Sequence, residues 1–107
     1  MARVARGEVW LHRFAPPDKR RPVLVLSRPG AIAVLRTVIV APITSTVRGL
    51  PSEVELGVDD GMKDTCVVNL DHVQTVPQDE LRQRVATLSA ARLAAVCRAL
   101  AAATGCA

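Results

Sequence analysis

The 107 residues leave room for one core, since domains run on the order of 100–150 residues, and the expected organisation is one domain over residues 1–107. Half of the residues are apolar and 22% are charged, which excludes an intrinsically disordered chain. Net charge is +4 and unevenly spread: residues 1–48 carry nine Lys/Arg against Glu8 and Asp18, whereas residues 49–107 carry five against eight. A basic excess of this kind either serves solubility or forms a phosphate-binding face.

No apolar run near Met1 has the length of a secretion signal, and none elsewhere approaches the roughly 20 residues of a membrane span. The expectation is a cytoplasmic protein without membrane contact. Trp10 and Phe14 are the only aromatic residues, which argues against a surface that stacks base after base on aromatic rings. A chain this short leaves much apolar surface wet as a monomer, so an oligomer is expected.

In chain order, the first element is a strand over Gly7–Phe14, with Val9 and Leu11 on one face and Trp10, His12 and Phe14 on the other. Ala15-Pro16-Pro17-Asp18-Lys19-Arg20 follows as a rigid basic connection. Pro22–Ser27 is a continuous apolar run and Val34–Ile43 a second, interrupted by Arg36 and stopped near Pro42; such runs suit strands covered on both faces. Ser52–Leu56 and Thr65–Leu70 read as further strands around the turn signal Asp59-Asp60-Gly61, and His72–Val76 adds another.

The last third changes period. Gln78–Val85 reads as a short helix opened by Pro77. Ser89 then caps a helix over Ala90–Thr104, in which Leu93, Val96, Cys97, Leu100 and Ala101 share a face, and Gly105 ends it. Arg92 falls on the opposite, solvated side. Cys66, Cys97 and Cys106 have no metal-ligand spacing and are expected as buried small hydrophobes, so no metal or cofactor is expected. The fold class is mainly β with a C-terminal helix, a small, bent, partly open barrel. Such a barrel serves many functions, so function must come from the site.

Four segments in register carry a resemblance. Arg6-Gly7-Glu8-Val9-Trp10-Leu11, Arg21-Pro22-Val23-Leu24-Val25-Leu26-Ser27 and Val40-Ala41-Pro42-Ile43-Thr44-Ser45-Thr46 resemble the first three strands of the MazF/PemK toxin family. Val67-Val68-Asn69-Leu70-Asp71-His72-Val73-Gln74-Thr75-Val76, with Leu81 and Leu88 beyond it, resembles the family's late strand and closing helices. The resemblance spans nearly the whole chain. It implies an SH3-like, partly closed barrel that dimerises, cuts single-stranded RNA without a metal, and is silenced by an acidic antitoxin. Gyrase poisons similar to CcdB share that fold and stand as the alternative, a binding module without nuclease activity.

By the same resemblance, the family's catalytic Arg falls on Arg21 and its catalytic Thr on Thr44. Those residue types suit metal-free RNA cleavage, in which a neighbouring 2′-OH attacks phosphorus and charge grows on the phosphate oxygens. An Arg fork can hold these oxygens bidentately and stays protonated, and a Thr hydroxyl can donate to the same phosphate or merely pair in a strand. Asp71 matches an acidic position that stands either as base or RNA contact or as a turn former; its neighbour, basic in some members, is Asn69 here. Ser45, Thr46 and Arg48 are expected phosphate contacts. Where family members often carry a Gly-Ser-Glu-Gln-like loop, this chain has Pro16-Pro17-Asp18-Lys19-Arg20, so Lys19 and Arg20 offer phosphate contacts that fix position without reading sequence. His12 and His72 offer a second possible acid–base pair.

Overall fold

A computed structural model describes residues 3–14 and 19–106. Its elements are β1 (Glu8–Arg13), β2 (Arg20–Val25), α1 (Pro29–Val34), β3 (Thr37–Thr44), β4 (Glu53–Leu56), β5 (Cys66–Asn69), β6 (Gln74–Pro77), β7 (Gln83–Thr87) and α2 (Ala90–Thr104). Single 3-10 turns lie at Val58–Asp60, Leu70–His72 and Gln78–Glu80. All pairings are antiparallel, in the order β4-β5-β3-β2-β1-β7, with β6 added alongside β3. The result is the expected mainly β architecture, a curled half-barrel closed by a C-terminal helix.

The curl has its centre at β3. One edge pairs with β2 through Val40, Ala41 and Pro42, while the other pairs with β6 up to Val40 and with β5 from Ile43 onward. The handover falls on Ala41 and Pro42, and a proline, having no N–H to give a ladder, suits a place where a strand changes neighbour.

Side-chain alternation along β2 explains why its apolar run is continuous. Leu24 and Leu26 enter a core with Val9, Ala41, Ile43, Val68 and Leu70, which α2 covers through Val96 and Ala99. Val23 and Val25 enter a second core on the opposite face with Trp10, Val38, Val40 and Val76, joined by Ile32 of α1 and Leu81. Both faces are therefore dry along β2 from Val23 and along β3 from Val40 to Ile43, as a run without polar alternation requires, while Ile39 earlier in β3 stays exposed.

The structure corrects the sequence expectations at four places. Gln78–Val85 is not a helix: only Gln78–Glu80 turns, and Gln83–Thr87 pairs with β1, Glu8 opposite Thr87 and Leu11 opposite Gln83. An open edge on β1 outweighs local helical periodicity, and Val85 is skipped between the Ala86 and Arg84 pairings as a bulge at the sheet's edge. Second, Pro29–Val34 forms α1, so Val34 ends a helix and the third strand starts only at Thr37. Six residues are too few to display a helical period, although Pro29 in the first turn is the usual opening.

Third, Arg92 is not simply solvated. Its Nε donates to Asp60 Oδ1 at 2.9 Å, and Asp60 Oδ2 accepts the Gly57 N–H at 2.9 Å, which ties the turn after β4 to the first turn of α2. Ser89 caps that helix by accepting the Arg92 N–H at 3.2 Å, and Gly105 ends it in the left-handed region, both as expected. Fourth, only Cys66 is buried, whereas Cys97 and Cys106 are exposed. Among the described residues no helix is long and apolar enough to cross a membrane.

Gly7 is required where it stands. At φ +90° it joins β1 to β2 and to the start of α2, donating to Val25 O and accepting from the Leu88 N–H, each at 2.9 Å. A Cβ there would lie 2.8 Å from Leu93 Cδ1.

Two carboxyls sit below their ordinary range. The Arg92 guanidinium, with the Gly57 N–H, holds Asp60 down. Burial would raise Glu8, but hydrogen bonds from the Trp10 indole, the Ala5 N–H and Arg84 outweigh it and leave Glu8 lowered. Carboxyls held low in the folded state add stability that is present above their unfolded pKa of about 4 and is lost as pH falls through the lowered value. Denaturant unfolding should therefore be insensitive to these groups above about pH 5 and weaken steadily below about pH 4. Asp60→Asn should be less stable at neutral pH and should lose less on acidification, while Leu24→Ala should cost about 2–5 kcal/mol at either pH through cavity formation. An Asp60→Asn curve parallel to the wild type across the acid range would remove Asp60 from this account.

Candidate active site

The site is built by strand register. In β1 and β2, His12 lies opposite Arg21 and Trp10 opposite Val23; in β2 and β3, Val23 lies opposite Pro42 and Val25 opposite Val40. Residues directly opposite share a face, and alternate residues along each strand return to it. Extending the β2–β3 register by two residues sets Arg21 against Thr44, on the face that buries Val23, Val25, Val38 and Val40 further in. From the other edge of β3, β6 brings Gln74 opposite Val40 on that same face.

These elements meet in an open hollow of about 200 Å³ lined by Phe14, Arg21, Pro42, Thr44, His72 and Gln74. Arg21 is exposed and Thr44 half-buried. The Thr44 Oγ1 is shut off from solvent and makes no hydrogen bond. A buried hydroxyl without a partner costs on the order of 1–3 kcal/mol, and rotation about χ1 toward a bound phosphate oxygen would satisfy it. A guanidinium and a hydroxyl on one strand pair can hold the oxygens of one phosphate group.

The structure brings Arg21 and Thr44 together and sets Asp71 outside the lining of their hollow. Asp71 lies in the 3-10 turn Leu70–His72, its N–H donating to Asn69 Oδ1 at 3.0 Å and its Oδ2 accepting from Ser52 Oγ at 2.5 Å. The carboxylate thus fastens β4 to the turn after β5. The following residue, His72, does line the hollow.

The expected RNA contacts divide. Ser45 lines a neighbouring hollow with Thr44, Met62, Lys63 and Asp64, and Thr46 and Arg48 lie exposed in the segment after β3, where the Arg48 N–H donates to Glu53 Oε1 at 3.0 Å. Lys19 is exposed just before β2. Arg20, one residue from Arg21, belongs to the other side of the strand and lines a larger cleft with Arg13, His12, Glu80 and Arg82. Of the Ala15–Arg20 connection, Ala15, Pro16, Pro17 and Asp18 lie outside the described residues.

The two histidines do not share a site. His12 is buried, its Nε2 lies 3.0 Å from Glu80 Oε1, and its ring meets Phe14, a lining residue of the hollow, edge-on at 4.8 Å. Sequence alone also passed over Phe14, Pro42 and Gln74 as lining residues. For Gln74 the missing signal was the β3–β6 register, which joins residues some 35 positions apart and has no local mark. Burial pushes the Cys66 thiol up, away from nucleophilic character. Among the described residues no three His, Cys, Asp or Glu side chains gather as metal ligands.

This geometry can be set beside known proteins. Residues 5–104 match the family model described as PemK-like, MazF-like toxin of type II toxin-antitoxin system. A curated relative, the probable endoribonuclease MazF2 of Mycobacterium tuberculosis, is 44% identical over 102 residues, covering 94% of this chain and 98% of its own. Among solved structures, the Mycobacterium tuberculosis toxin MazF-mt6 superposes with a TM-score of 0.83 at 36% identity, over 92% of this chain and 96% of that one. An endoribonuclease in complex with its cognate antitoxin, from a mycobacterial species, superposes with a TM-score of 0.85 at 26% identity, over 95% of both chains. A gyrase-binding toxin is not favoured by these relatives. With the strand order and a sequence match over nearly its full length in agreement, the chain belongs to the PemK-like, MazF-like toxins of type II toxin–antitoxin systems.

Proposed function

We propose that this chain is a metal-independent endoribonuclease that cuts single-stranded RNA at selected sequences, leaving 2′,3′-cyclic phosphate and 5′-OH ends and so blocking translation and growth. The observation that carries this reading is the convergence of Arg21 and Thr44 from paired strands into one hollow. The Arg21 fork holds the equatorial oxygens as negative charge grows on them, and the Thr44 hydroxyl orients the same phosphate. Lys19, Arg20, Ser45, Thr46 and Arg48 grip neighbouring phosphates and set the strand's path. Asp71, engaged by Ser52, serves the turn more directly than the chemistry.

The purified protein should cut RNA in excess EDTA. Arg21→Ala should slow cleavage by about 10²–10³, the usual scale for losing one preorganised donor. Arg21→Lys keeps the charge but loses the planar fork and should recover little. Because Arg21 is exposed at the start of its strand, unfolding should shift by no more than about 0.5 kcal/mol. Activity that vanishes on chelation and returns with a divalent metal would exclude this mechanism.

In the cell the toxin works as a cytoplasmic homodimer that a cognate acidic antitoxin silences by lying across its basic N-terminal half. The charge split between residues 1–48 and 49–107 supports the antitoxin surface, and the exposed Val34, Leu35 and Ile39 leave apolar area for a second copy. Light scattering should give twice the chain mass at micromolar concentration, and antitoxin affinity should fall as salt rises. A monomer with salt-indifferent antitoxin binding would contradict both parts.

A further inference from the structure

We propose that His72 is the base that takes the 2′-OH proton during cleavage, an assignment that rests on the ribonuclease reading above. Of the six residues that line the hollow, Phe14 and Pro42 have no proton chemistry, Gln74 and Thr44 are not bases, and Arg21 stays protonated. Among the described residues that line it, only His72 carries a side chain suited to work as a general base.

Position supports the same role. His72 ends the turn Leu70–His72, and that turn is fastened by three hydrogen bonds. Leu70 is fully buried and its N–H donates to Ser52 O at 3.0 Å; the Asp71 N–H is held by Asn69; the Asp71 carboxylate is held by Ser52 Oγ. An exposed side chain on so constrained a backbone is preorganised without being packed away, as a group that must meet a substrate proton needs to be. The contacts that keep Asp71 out of the hollow are the same ones that present its neighbour to it.

Of the residues that line the hollow with His72, Arg21 from β2 is charged, while Pro42 and Thr44 from β3, Gln74 from β6 and Phe14 are uncharged; the charged Asp71 neighbours His72 on its own turn, its carboxylate held by Ser52. In the reaction, the 2′-oxygen forms a bond to phosphorus as its proton passes to a ring nitrogen of His72. The bond from phosphorus to the 5′-oxygen breaks, and the departing oxygen takes a proton from water. Arg21 stabilises the phosphate oxygens throughout, and no electron transfer or co-reactant is involved.

The test is the rate at which new 5′-OH ends appear on a long single-stranded RNA transcript in EDTA, for the wild type, His72→Gln and His72→Ala, from about pH 5 to 9. Both variants should retain the wild-type circular dichroism spectrum and lose about 10²–10⁴ in kcat with little change in KM. The acid limb of the wild-type pH profile should flatten in both. Free imidazole should restore part of the rate to His72→Ala and none to His72→Gln, whose longer side chain fills the space. Wild-type rates in both variants overturn the assignment, as does a slowed His72→Ala that keeps the acid limb and ignores imidazole, which marks a structural role. A wild-type protein that releases no 5′-OH ends at any pH defeats the ribonuclease reading itself, and the assignment falls with it.

Discussion

The pairing of β2 with β3 is the constraint on which the rest of the molecule depends, because it sets the two cores and the candidate site in a single register. With Val23 opposite Pro42 and Val25 opposite Val40, Arg21 and Thr44 belong to the outer end of the face whose inner end is buried by Trp10, Val38 and Val76. A slip of one residue would send Leu24 to that face and turn Arg21 to the other. Such a slip is costly, since Leu24 and Val23 are both fully buried in different cores. The hydrophobic packing that stabilises the fold therefore also aims the guanidinium.

Around this register the remaining elements close the structure. The change of neighbour on β3, from β6 to β5, bends the sheet and brings the turn carrying His72 over the end of β3, so the hollow is a by-product of the curl. Two charged clamps hold the outer layers: Asp60 with Arg92 fixes α2 to the turn after β4, and Glu8 with Trp10, Ala5 and Arg84 fixes the chain start and β7 to β1. In these two clamps the Glu8 and Asp60 carboxylates each have both oxygens engaged by hydrogen-bond donors, which makes a shielded charge tolerable.

Much of this was legible in the sequence. The apolar runs announced β2 and β3, which are covered on both faces from Val23 and from Val40 respectively, and Ser89 and Gly105 bracketed α2 correctly. Arg21 and Thr44 were selected through the resemblance of the strand motifs, and the structure sets the two side chains at one hollow. The misses share a cause. β7 looked helical because its strand character comes from an edge of β1 more than 70 residues earlier, and the turn at Leu70–His72 keeps Asp71 out of the hollow and His72 in it through Ser52, a residue nearly 20 positions upstream. Arg92 looked solvated because Asp60 reaches it only when α2 docks. Local pattern carries propensity and alternation; long-range partners appear only in the folded chain.

The central claim is that Arg21 and Thr44 act on one phosphate, and a double-mutant cycle tests it most directly. Thr44→Val removes a hydroxyl that has no partner in the free protein, so it should leave stability unchanged or slightly improved while slowing cleavage. Measured as kcat/KM on one RNA substrate, Arg21→Ala and Thr44→Val together should lose much less than the product of their separate losses, because each removes support from the same oxygens. Losses that multiply independently would place the two side chains on different parts of the reaction and contradict the account.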